Sequence, residues 1–326
     1  MAQMTFLQAI NNALDQQMEK DPSVVVFGED AGFEGGVFRV TAGLQKKYGE
    51  DRVFDTPIAE AAIIGSAVGM AINGLKPVAE IQFSGFMFPG YNQIAMHLAR
   101  LRNRSRSKYN LPVVIRMPMG GGVRALEHHS ESLETLFAHI PGLKLVVPST
   151  PYDAKGLLTA AIKDPDPVIF FEPKKIYRAG KQEVPEEEYT VEIGKAKTVQ
   201  KGDDLTIVAW GAVLRDTQKA LANLKTDASI ELIDLRSIAP MDSAAVIESV
   251  KKTGRLLVIS EQVQSFNVAS ELMARVNEEA FEYLEAPPQR LNGFDITIPL
   301  PKGEHHHAID EKKIHYAINK ILGYEI

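Results

Sequence analysis

The sequence has no cysteine and a single tryptophan among 326 residues. The missing thiol excludes disulfide scaffolds, thiolate zinc sites, iron–sulfur clusters and cysteine nucleophiles. Basic residues are not in excess: 36 Lys and Arg face 42 Asp and Glu, for a formal net charge of −6. Non-specific nucleic-acid binding rests on a basic footprint, so a nucleic-acid partner is not expected. Long apolar runs are absent too. The most apolar stretch, Ala59 to Leu75, is 17 residues long and contains Glu60, Ser66 and Asn73. Its many Gly and Ala residues suit a helix packed tightly inside a protein better than a membrane span. The N-terminus has no basic start followed by an apolar block, so no signal peptide is expected and the cytoplasm is the default compartment. Neither G-x-x-x-x-G-K-[ST] nor G-x-G-x-x-G after a strand occurs, which removes the common nucleotide-binding loops.

What is present is ordinary globular material, 45% hydrophobic and 24% charged, long enough for two domains. Phe6, Ile10, Leu14 and Met18 recur every four residues, the stripe of an amphipathic helix. Short apolar runs then alternate with helical patterns. Strands are expected at Val24–Phe27, Arg52–Phe54, Lys76–Phe83, Leu111–Arg116, Leu143–Val147 and Val168–Phe171. Helices are expected at about Tyr91–Arg104 and Tyr152–Ile162. Buried strands separated by helices predict a mostly parallel sheet between helical layers. Past Pro173 the chain turns charged and aperiodic, and alternation resumes at Leu205 with further strands at Ile230–Leu235 and Leu256–Ser260. The expected division is residues 1–185, a linker over 186–204, and a second α/β domain over 205–326. No repeat of 20–50 residues is found.

Several residues could carry chemistry. The Gly32–Gly36 and Gly120–Gly122 clusters lie near predicted strand ends, where ligands sit in open α/β sheets, although tight turns are the better explanation of such clusters alone. Glu60 opens the small-residue helix after Asp55-Thr56-Pro57. With Thr56 as N-cap and Pro57 as first helical residue, the capping-box position would be Ala59, so Glu60 is either a dipole-favoured carboxylate or a candidate acid or base. His128 and His129 follow the second Gly cluster; adjacent histidines suit a proton shuttle or a hydrogen-bonded structural pair better than zinc. His305–His307 reads as a surface loop, and the basic run from Arg100 to Lys108 as a helix C-terminus enriched in cations.

Taken together, these blocks resemble the β subunits of the thiamine-dependent first component of 2-oxo-acid dehydrogenase complexes. The resemblance spans nearly the whole chain. It is carried by GEDAGFEGGVFRVTAGLQKKYG, RVFDTPIAE, AEIQFSGFMFPGYNQI, RLRNRSRSKY, RMPMGGGV, HHSESLETLFAHIPGLKLVVPSTPYDAKGLL and DPVIFFEPKKIYR, then by ELIDLRSIAPMD and KTGRLLVISE. ALEHHSES and PLPKGEHHH are most similar to the bacterial pyruvate-acting members. Branched-chain and acetoin-acting relatives share much of the pattern, and a non-catalytic assembly subunit is a third reading.

The resemblance implies a transketolase-like pyrimidine-binding domain followed by a transketolase C-terminal domain, both three-layer α/β. It implies that Glu60 hydrogen-bonds a ring nitrogen of the thiamine diphosphate aminopyrimidine, that Phe86 stacks on that ring, and that Gln82 borders it. His129 would assist acyl transfer to the lipoyl group. A structural potassium ion would fall at Val113, Ala161, Ile162, Asp164 and Asp166. The chain has no Gly-Asp-Gly, so the Mg²⁺ that holds the diphosphate would be bound mainly by an α subunit. The implied assembly is two α and two β chains, with a β–β dimer within it, acting on pyruvate. Glu285 and the Ile326 carboxylate would dock the subunit-binding domain of the dihydrolipoyl acyltransferase, whose lipoyl domain takes the acetyl group.

Overall fold

The computed structural model describes residues 1–324. The β-branched run after the first helix forms strand Val24–Gly28, buried throughout. It lies inside a seven-stranded sheet ordered Ser237–Ala239, Lys144–Val146, Val168–Pro173, Val114–Met119, Lys76–Glu80, Val24–Gly28, Val53–Asp55. Every pairing is parallel except that of the Ser237–Ala239 edge. Parallel strands covered on both faces by helices bury all their side chains, which is why they read as continuous apolar runs. Helix Phe6–Lys20 turns Phe6, Ile10, Leu14 and Met18 inward against helix Pro151–Lys163, and a Thr5–Gln8 capping box closes its first turn.

A second sheet is ordered Gln289–Gly293, Leu256–Val263, Leu205–Ala209, Ile230–Asp234, Lys197–Gln200, parallel except for the last pairing. Helices Ala212–Asn223, Ser243–Thr253, Val268–Ala280 and Glu311–Leu322 cover it. The two halves share one apolar core, in which Phe137, Leu145 and Phe171 belong to the same buried cluster as Trp210, Ile233 and Ile238. Among the described residues no helix is long and apolar enough to cross a membrane.

The structure departs from the sequence-based expectations at several elements. The 186–204 connection is not free chain, because its Lys197–Gln200 segment is an edge strand of the second sheet. Ser237–Ala239, from the far side of the connection, returns to extend the first sheet. The helix expected over Tyr91–Arg104 is broken: a π-helical turn at Ile94–Leu98, with the Ala99 amide reaching the Ile94 carbonyl, separates Tyr91–Gln93 from Leu101–Arg104. Finally, Glu304–His307 is a helical turn that buries Glu304 and His307, where a surface loop was expected. Phe294 and Ile309 offer that segment apolar cover that spacing along the chain does not reveal.

Candidate active site

The candidate residues stand on segments leaving the C-terminal ends of neighbouring parallel strands, the edge at which open α/β sheets bind ligands. Gly28, the last residue of its strand, pairs with Asp55 on one side and Glu80 on the other. A side chain there would meet the Glu80 carbonyl at 2.4 Å, so this close approach requires glycine. The Asp55 carboxylate then accepts the Gly32 and Phe33 amides at 2.6 and 3.0 Å and folds the first Gly cluster back over the sheet edge. That cluster is therefore a turn held by a carboxylate.

Beneath this edge lies a buried charge network. Arg116 donates to Glu172 at 2.6 and 3.1 Å and to Glu80 at 2.8 Å, and the Tyr177 hydroxyl donates to Glu172 at 2.6 Å. Burial, more than anything else, pushes the Glu80 carboxyl up, and the Arg116 charge opposes that rise. Two carboxylates on one guanidinium fix three adjacent strand ends relative to one another. Such a network serves geometry more than net stability.

Above it, Glu60 is the first residue of helix Glu60–Ile72, with Ala59 as a cap lacking any side-chain bond. The helix thus starts three residues later than a Thr56 cap would set it. The Thr56 hydroxyl is instead buried without a partner. Glu29 is buried beside Glu60, and its carboxyl is pushed up first by burial and then by the charges of Glu60 and Asp30. Gln82 is anchored by a 2.9 Å bond from its amide to Asp30. The following turn carries Phe86, whose ring packs edge-on to Phe83 at 5.2 Å. A side chain at Gly90, just beyond that turn, would stand 3.1 Å from the Glu60 carbonyl, so the turn also abuts the start of the Glu60 helix.

His129 completes the cluster from the segment after strand Val114–Met119. Its ring lies edge-on to Phe83 at 4.4 Å and to Phe86 at 5.0 Å, and its Nδ1 is buried with no partner. His128 points to solvent. A carboxylate, an anchored amide, an aromatic face and an imidazole with a free ring nitrogen together suit a nitrogen heterocycle undergoing proton transfer. Phe33, Ile58 and Phe88, on segments that leave the same strand ends, are exposed.

Residues 2–180 match the family model described as transketolase, pyrimidine binding domain, and residues 194–314 match that of the transketolase C-terminal domain. Over 322 residues the chain is 64% identical to the pyruvate dehydrogenase E1 component subunit beta of Acholeplasma laidlawii, covering 98% of each. The chain belongs to the pyruvate dehydrogenase E1 β-subunit family. The Bacillus subtilis member is 48% identical over 323 residues, 99% of each chain. A solved split-gene transketolase, described as an inactive β4 tetramer, superposes with a TM-score of 0.80 at 21% identity. It covers 99% of this chain and 100% of its own, and at that identity it shows the shared fold alone.

Other residues named from the family resemblance fall away from this cluster. Val113, Ala161, Ile162, Asp164 and Asp166 gather where helix Pro151–Lys163 ends and strand Val168–Pro173 begins. Lys144 holds the Asp164 carboxylate at 2.7 Å, and Arg102 pairs with Asp166. The Val113 and Ala161 carbonyls already accept the Val168 and Asp164 amides. Among the described residues no group of three His, Asp or Glu side chains is placed to hold a metal. Glu285 is exposed and paired with Arg255 at 2.6 Å, and Ile326 lies outside the described residues.

The site holds one residue that the motifs did not single out. In the sequence Glu29 stands out only as part of the GEDAGFEGGVFRVTAGLQKKYG block. The available clue was its position: a carboxylate one residue past a fully buried parallel strand, on the edge that also carries Glu60.

Proposed function

We propose that this chain is the catalytic β subunit of a pyruvate dehydrogenase E1 component. In that role it takes part in the oxidative decarboxylation of pyruvate and the transfer of the acetyl group to a lipoyl group, and it is active only with an α subunit. The observation that carries this reading is the packing of His129 against Phe86 beside the Glu60 and Gln82 segments, in a full-length relative of proteins bearing that name.

Thiamine diphosphate, when bound, supplies the acidic carbon that attacks pyruvate and the electron sink that lets carbon dioxide leave. The residues fit its aminopyrimidine end: an aromatic face, a carboxylate, an amide, and a buried ring nitrogen without a partner. Glu60 would exchange a proton with the ring nitrogen it faces. Phe86, braced edge-on by Phe83, gives the ring its stacking surface, and Gln82 holds position through Asp30. His129 would deliver a proton as the lipoyl disulfide opens.

Mg²⁺ for the diphosphate is assigned to the α chain, because this sequence has no Gly-Asp-Gly and magnesium needs one or two dedicated carboxylates. Two α and two β chains, with the β chains paired, complete the assembly. Glu285 and Ile326 are proposed contacts for the acyltransferase. A potassium ion near Asp164 would have to rest on backbone oxygens, since Lys144 and Arg102 hold the carboxylates.

Reconstitution with its α subunit tests the reading. Turnover should be far faster with pyruvate than with branched-chain 2-oxo acids or acetoin. The opposite preference would overturn the substrate assignment.

A further inference from the structure

The segment carrying His129 is an Ω-shaped loop whose base is closed by a 3.0 Å bond from the Gly120 amide to the Glu131 carbonyl. The Ser84 hydroxyl also donates to that carbonyl, at 2.9 Å. Between these ends the loop carries little packing of its own: Gly122, Val123, Arg124, Leu126 and His128 are exposed, and Gly120, Gly122 and Arg124 have φ of 81°, 86° and 57°. The orientation of His129 must therefore be set by its ring contacts and by whatever holds the base.

Both sides of that base are gripped by the second half of the chain. On the entering side, Glu304 accepts the Gly122 amide, and the Glu261 carboxylate lies against Gly120 and Gly121. Lys174, from the first half, donates to the Gly120 carbonyl between them. On the leaving side, the Trp210 indole donates to Glu134 at 3.0 Å, and the Gln262 amide donates to Thr135 at 2.8 Å. Glu304 and Trp210 are 5% and 3% exposed, so these bonds are made away from water. A cavity of about 30 Å³, large enough for a water molecule, lies against Gly121, Gly122, Glu304 and His307. Both ring nitrogens of His307 are buried without partners.

We propose that the second domain is the positioning device for the His129 loop, with Glu304 and Trp210 as the residues that hold its two ends. The consequence for acetyl transfer rests on the reading of His129 given above. The grip also gives the C-terminal half a part in the reaction, although none of its residues joins the cluster around Glu60.

The test uses the assembled enzyme with its α subunit and thiamine diphosphate. Glu304→Leu and Trp210→Phe should each slow acetyl transfer to a free lipoyl domain by about tenfold, the scale of a small misplacement of a reacting group. Decarboxylation read with an artificial electron acceptor should stay within about twofold. Amide hydrogen exchange across residues 120–131 should quicken in both variants. Glu304→Gln keeps an oxygen for the Gly122 amide and should restore transfer and exchange protection together. Glu304→Leu combined with His129→Ala should be no slower than His129→Ala alone. Unchanged exchange across 120–131, equal loss in both half-reactions, or an additive double variant would overturn the proposal. If His129→Ala itself transfers acetyl normally, the reading of His129 fails, and the exchange result alone decides whether the second domain holds the loop.

Discussion

Glu60 could be named as chemically suspect from the sequence alone, because no neighbour on an apolar helix could pair with it. Its exact setting could not be read. A Thr56 cap was the natural expectation, whereas the helix starts at Glu60 itself and leaves the Thr56 hydroxyl buried and unpaired. Tertiary contacts at this sheet edge override the local capping preference. Glu60→Gln should fold normally, with a melting temperature within a few degrees of the parent. Turnover with the α partner present should fall by at least about a hundredfold, within the range spanned by general acid–base catalysis. Near-parental decarboxylation by that variant would remove Glu60 from the mechanism. Glu29 and Glu304 were invisible as individuals, because burial and a partner distant in sequence are what make each of them significant.

At the scale of elements, strands and long helices were the most legible part of the fold. Buried parallel strands have a strong apolar signature, and helix Pro151–Lys163 falls on the expected Tyr152–Ile162. Irregular elements were not legible: the π-helical turn at Ile94–Leu98 and the buried turn at Glu304–His307 depend on partners elsewhere. The junction of the Ser84–Phe86 turn with the Glu127–His129 turn is of this kind. A side chain at Gly85 would meet the His128 carbonyl at 2.1 Å, so Gly85→Ala must push the two turns apart. It should weaken binding of thiamine diphosphate by the assembled enzyme about tenfold and slow acetyl transfer, both read on the same preparation. Parental values for both would show that the two turns need not touch.

Burial, only partly offset by the Trp210 bond, pushes the Glu134 carboxyl up to about 7. A carboxyl raised in the folded state binds its proton more tightly than in the unfolded chain. Its stabilising contribution is therefore complete below its ordinary value of 4.5 and is lost as pH rises towards 7. Glu134→Gln should remove that slope. Relative to the parent, the variant should be more stable at pH 8 than at pH 5, measured by denaturant titration at both. A parallel pH dependence in parent and variant would show that Glu134 is ionised without penalty.

For the whole molecule, two α/β halves were foreseeable from length and alternation, but their interdependence was not. Ser237–Ala239 returns to the first sheet, Lys197–Gln200 sits in the second, and the apolar core runs across both. Pairings of such long sequence separation leave no local trace. The same limit applies to the site: the proposed base Glu60, stacking ring Phe86 and imidazole His129 lie on this chain, whose sequence contains no Gly-Asp-Gly. The central claim is that this chain is half of a catalytic pocket. Calorimetry on the purified chain, titrated with thiamine diphosphate and Mg²⁺ before and after addition of the α subunit, tests it most directly. The chain alone should give negligible heat, with tight binding and pyruvate turnover appearing together once the α subunit is present; tight binding by the isolated chain would contradict the half-pocket reading.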